Sequence, residues 1–102
     1  MAQIFTYPDR RTLIIGAILV ALYGVEQECI LRVRLKAQGD WSEDPDFLAT
    51  RALIDDVKAG KMVHTQDRSL LGLLAHTQQT LRVSHEEWDA VCPIQKAPEP
   101  NA

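Results

Sequence analysis

An uncharged segment at residues 13–25 constrains this chain more than any other feature. As an α-helix it rises roughly 20 Å, short of the ~30 Å hydrocarbon core of a bilayer. We therefore expect a buried helix in one small domain. An alternative stays open, because Arg10 and Arg11 resemble the start of a signal peptide. In that case residues 12–25 are a membrane anchor or an export signal, although no pair of small residues follows at a cleavage position.

The apolar pattern predicts one long helix over residues 11–37 with two different apolar sides. Ala17, Ala21 and Gly24 form a stripe of small residues, which Leu31 and Leu35 continue. Larger residues fill the other side, namely Ile14, Ile15, Ile18, Leu19, Leu22, Val25, Cys29, Ile30 and Val33. Residues 29–36 also alternate between apolar and charged side chains, which is typical of a strand and gives an α+β fold as the alternative.

Local signals place three shorter helices after the long one. Asp44 followed by Pro45 is typical of a helix start, and Gly60 of a helix end, which predicts a helix over 45–59. A third helix is expected over 66–81, opened by Thr65 or Asp67, and a fourth follows the capping-box pattern of residues 84–87. We expect a mainly α fold, a single helical domain of about four helices over residues 1–93. A short N-terminal strand at 2–7 is an option, and residues 94–102 read as a flexible Pro-rich tail.

Charge and cysteine content limit which classes of partner and which cellular compartment we expect. The 102 residues carry a net charge of −3, which repels a phosphate backbone, so we expect no nucleic-acid partner. Arg32, Arg34 and Lys36 form a candidate basic patch, and Arg10 with Arg11 is the other candidate, so a DNA-binding regulator is kept as a further alternative. Cys29 and Cys92 fit no metal or redox spacing, so two reduced thiols in a cytoplasmic protein are expected. A single disulfide between them is the alternative for an exported chain.

No pattern in the sequence predicts catalysis or metal binding. The acidic run from Asp40 fails as a calcium loop because Pro45 stands where that loop needs glycine. His85 and Asp89 share one helical turn without a third ligand. No glycine-flanked serine and no phosphate-binding loop occurs. We therefore expect no catalytic residue, no metal and no cofactor, and the chain is not predicted to be an enzyme.

The long apolar helix instead predicts a protein partner. Three short helices in a chain of this size cover one broad side of it but not both, and large exposed apolar patches are rare on monomers. We expect a small non-enzymatic interaction module, such as an accessory subunit, adaptor or regulator, and most simply a homodimer. The candidate interface residues are Ile15, Ala17, Leu19, Ala21 and Gly24.

Overall fold

The computed structural model describes residues 9–36 and 39–98 of the chain. These residues form α1 (Arg10–Lys36), a 3-10 turn (Trp41–Glu43), α2 (Pro45–Lys58), β1 (Val63–Thr65), α3 (Arg68–Leu81), α4 (His85–Val91) and β2 (Ile94–Lys96). The prediction of a mainly α fold with four helices is confirmed. The optional strand at residues 2–7 lies outside the described residues.

The long segment forms one uninterrupted helix, α1. It begins after Asp9, whose carboxylate accepts the backbone N–H of Thr12 at 2.8 Å, as an N-cap does. The strand interpretation of residues 29–36 is wrong. Cys29 and Val33 are buried while Leu35 is 86% exposed, which is burial at a spacing of four and not at a spacing of two.

The starts of α2 and α3 follow the predicted capping chemistry. Asp44 accepts the backbone N–H of Phe47 at 3.0 Å, and Pro45 occupies the first helical position, where a missing N–H costs nothing. Gly60 follows α2 with φ at +76°, as its predicted role at the helix end requires. Asp67 opens α3 by accepting the N–H groups of the first turn, so α3 starts slightly later than predicted.

Helix α4 is capped by half of the predicted capping box. The Ser84 hydroxyl accepts the backbone N–H of Glu87 at 3.2 Å. The Glu87 carboxylate does not return the bond to Ser84 but accepts the Arg10 Nε–H at 2.6 Å. That side chain therefore connects α4 to the start of α1.

Two three-residue strands pair in parallel, a feature that the sequence analysis did not predict. Val63 pairs with Ile94 and Thr65 with Lys96, and α3 and α4 form the crossover between the strands. Ile94 is only 3% exposed. The predicted tail is therefore corrected at its start, because residues 94–96 belong to the folded part, held by β1.

The core lies between the first half of α1 and the elements α2, α3, α4 and β2. Ile14, Ile18 and Leu22 supply one row of side chains, with exposed fractions of 3%, 0% and 0%. They pack with residues from α2, α3, α4, β2 and the intervening loops, namely Ile54, Val57, Leu74, Val83, Trp88, Cys92 and Ile94. The second half of α1 extends past this core and contacts mainly α2 and the 3-10 turn.

Candidate interaction surface

Helix α1 has a second apolar side that its own chain leaves largely uncovered. Leu13, Val20, Leu31 and Leu35 are 54%, 71%, 56% and 86% exposed. At 100° per residue they fall, together with Ala17 and Gly24, within an arc of about 60°. We call these six residues the outer face. It runs about 33 Å along the helix and contains no charged side chain.

The structure divides the predicted interface residues into two groups. Ile15 and Leu19 are partly buried and pack against the core. These two side chains therefore contribute to the packing of the domain. Ala17 is half-buried on the outer face, and Gly24 is exposed there. Ala21 lies at the border between the outer face and a groove described below.

Sequence reasoning missed Leu13 and Val20 as members of this surface. Neither is among the five predicted interface residues. Their spacing of seven positions, which is the repeat of one side of a long helix, was the available signal. The continuation of the small stripe through Leu31 and Leu35 was predicted, and both residues are exposed beside Gly24 on the outer face.

The candidate basic patch is not one continuous surface. The Arg32 guanidinium lies 2.8 Å from the Asp46 carboxylate and 3.5 Å from that of Asp44, so its charge is balanced by α2 and its cap. Arg34 lies about 200° round the helix from Arg32. The alternation that would align the two on one side of a strand separates them on a helix.

A groove of about 660 Å³ opens beside α1, between α2, β1 and the first turns of α3. Its walls carry small or apolar side chains, including Ala21, Gly24, Ala49, Ala52, Leu53 and Leu70. Three carboxylates also line it, those of Glu28, Asp56 and Asp67. Within residues 9–36 and 39–98, no lysine or arginine does so.

Neither cysteine is placed for nucleophilic chemistry. Cys29 and Cys92 are free and buried, and burial raises the pKa of both thiols, which keeps them protonated near neutral pH. The Cys92 Sγ also donates to the Ile94 carbonyl oxygen at 3.1 Å. Across the described part of the chain, no three His, Cys, Asp or Glu side chains converge as metal ligands would.

Comparisons with protein-family models, with curated proteins and with solved structures found no match. In the described residues, α1 is the one helix long and apolar enough to cross a membrane by length and composition. A helix near the N-terminus that passes this test can be a core helix, a signal sequence or a membrane span.

Proposed function

We propose that this chain is a non-enzymatic protein–protein interaction module that pairs with a second copy of itself through the outer face of α1. The observation that carries the proposal is the contrast in coverage around α1. One side is fully buried, whereas Val20, Leu31 and Leu35 stay more than half exposed in a single row. Burying such a row against a partner removes apolar surface from water, which stabilises the complex by about 25 cal/mol for each Å² buried.

A second copy fits this face because four of its members are placed symmetrically about Gly24; Val20 is the exception, since Glu28 stands at the matching position. Leu13 and Leu35 stand eleven positions before and after that glycine, and Ala17 and Leu31 stand seven positions before and after it. In an antiparallel pair with the two-fold axis at Gly24, Leu13 meets the partner's Leu35 and the small Ala17 meets the partner's large Leu31. Two glycines then meet at the axis, where the absence of side chains permits close approach.

The size of the face indicates a weak, concentration-dependent dimer. A strip about 33 Å long and about 10 Å wide covers on the order of 330 Å², against about 800 Å² per partner in a standard stable interface. Leu81, which is 43% exposed, lines a shallow depression together with Leu13 and extends the apolar surface at that end. The expected state is an equilibrium between monomer and dimer.

A non-enzymatic role in the cytoplasm is part of the same proposal. The cytoplasmic part is supported by Cys29 and Cys92, which are both free and buried, as cysteines are in reducing compartments. Membrane insertion of α1 would separate Ile14, Ile18 and Leu22 from the core that they form, so a paired outer face accounts better for the whole helix.

Sedimentation velocity over a series of concentrations tests the pairing. We expect the wild-type chain to shift from monomer to dimer as its concentration rises, and Leu31→Glu to remain a monomer because each new carboxylate would be buried against the partner's apolar Ala17. Met62→Glu is the matched control, since Met62 is 58% exposed and lies off α1. Wild-type protein that stays monomeric, or an equal effect of both substitutions, would overturn the proposal. So would a monomer that binds lipid vesicles through Leu31, since the partner would then be a membrane surface.

Disulfide trapping tests the arrangement in a background with Cys29→Ala and Cys92→Ala. An antiparallel pair predicts that Gly24→Cys links to itself and that Leu13→Cys links to Leu35→Cys only when the two variants are mixed. A parallel pair would link Leu13→Cys to itself and Leu35→Cys to itself. Dimers in sedimentation with that second trapping pattern would overturn the arrangement and leave the self-association standing.

A further inference from the structure

The groove beside α1 has the shape and charge of a site for a second kind of ligand. Its apolar walls come from three helices, and small residues keep it open: Ala21, Gly24, Ala49 and Ala52. A side-chain carbon added at Gly24 would meet nothing within 4 Å, so space is left above the helix at that point. The volume of about 660 Å³ falls in the range of ligand-binding clefts.

The groove is as long as two turns of a helix. The residues that α1 contributes run from Ala21 to Glu28, a rise of about 10 Å. This length matches the spacing of anchor residues at positions i, i+4 and i+7 of an amphipathic helix laid into a groove. The lining residues of α1 lie roughly a quarter turn round from the outer face, with Gly24 at the border of both surfaces.

Carboxylates from three different elements surround this apolar floor. Glu28 stands on α1, Asp56 on α2 and Asp67 at the start of α3. Lys61 approaches Asp56 at 3.8 Å but is 70% exposed, so that exposed ion pair offsets little of the charge. The Glu28 carboxylate forms no hydrogen bond or salt bridge with any other described residue. A groove of this charge attracts cationic side chains and repels acidic ones.

We propose that the groove between α1, α2 and α3 binds an amphipathic helix with a basic polar side, supplied by another protein. Apolar anchors of that helix fill the space above Ala21, Ala49 and Ala52, and its lysines or arginines meet Glu28, Asp56 and Asp67. This proposal does not depend on self-association, because the groove is formed within one chain.

A labelled leucine–lysine amphipathic peptide, measured by fluorescence anisotropy, is the probe. We expect it to bind at least about tenfold more tightly at low salt than the same peptide with glutamate in place of lysine. The difference should shrink as salt is added. Equal binding of the two peptides would show that the carboxylates do not select the partner and would overturn the proposal.

Two variants locate the site. Ala52→Leu fills the groove and places a good helix former at an exposed position. Glu28→Lys reverses one charge of the groove. Each substitution should lower the affinity for the lysine peptide by about tenfold or more. Asp89→Lys, on α4 and outside the groove, is the matched charge control and should leave binding unchanged. Leu31→Glu should also bind the peptide normally, which separates this site from the outer face. Unchanged binding by both Ala52→Leu and Glu28→Lys, with circular dichroism showing folded protein, would overturn the proposal.

Discussion

The two halves of α1 are held to the rest of the protein by different interactions. In the first half, Ile14, Ile18 and Leu22 pack into a core shared with every later helix. In the second half, Cys29 and Val33 are buried but lie outside that core cluster. Ion pairs are prominent there, since Glu26 accepts from Arg51 at 3.2 Å and Arg32 contacts Asp46 at 2.8 Å.

This difference explains why one continuous helix is needed at all. The first half alone would satisfy the core, yet the helix continues for about four more turns after Leu22, with Leu31 and Leu35 exposed. Charged contacts to α2 fix the direction of this extension without covering its outer side. The second half therefore carries Leu31 and Leu35, the exposed leucines at one end of the outer face, whereas the first half also supplies the core.

Removing core side chains from each half tests this comparison most strongly. Ile18→Ala, at a residue that is 0% exposed, is expected to lower the free energy of unfolding by about 2–5 kcal/mol, because it leaves a cavity among packed side chains. Val33→Ala removes fewer atoms at a residue that is 8% exposed, so a loss of about 1 kcal/mol is expected. Urea denaturation measures both, and equal losses would contradict the division between the two halves.

Breaking the ion pair of Glu26 should produce an intermediate effect. Glu26 is 6% exposed, and Arg51→Ala would leave its carboxylate buried without its cationic partner, at a cost of about 1–3 kcal/mol. Adding Glu26→Gln to Arg51→Ala removes the unpaired charge and should restore part of the loss. Urea midpoints of the single and double variants show this directly. A single variant as stable as the wild type would mean that polar contacts do not hold the second half.

Features set by neighbouring residues were predictable from the sequence, and features set by distant contacts were not. Asp44–Pro45 and Gly60 mark the ends of α2 because caps depend on local backbone chemistry. The two apolar sides of α1 follow from helical periodicity over many turns. The pairing of β1 with β2 had no comparable signal, since three residues give almost no period and the partner strand lies far along the chain.

The same distinction between local and distant contacts applies to the candidate surfaces. The stripe through Gly24, Leu31 and Leu35 could be predicted because all its members lie on one helix. The groove could not, because Ala49 and Ala52 approach α1 only after α2 has packed against it. Likewise, Arg82 ends α3 at a φ of 56°, a conformation that its residue type does not suggest and that is stabilised by backbone hydrogen bonds to the last turn.

The smallest expected effect concerns the ion pair at the start of the first half, and it depends on pH. Arg10 holds the pKa of the Glu87 carboxyl below its ordinary value, so the folded state favours the ionised form. Its contribution to stability is present above the ordinary pKa of 4.5 and is lost as the pH falls through the lowered value. Glu87→Gln should therefore be slightly less stable than the wild type at neutral pH and should lose less stability on acidification. Urea midpoints between about pH 6 and pH 3 measure the difference, which should vanish at the acid end.

Glu86→Gln, one position earlier and exposed, is the control and should follow the wild type. If Glu87→Gln shows the same acid sensitivity as the wild type, or a larger neutral-pH loss than Arg51→Ala, then ion pairing matters as much in the first half as in the second, and the contrast between the two halves fails.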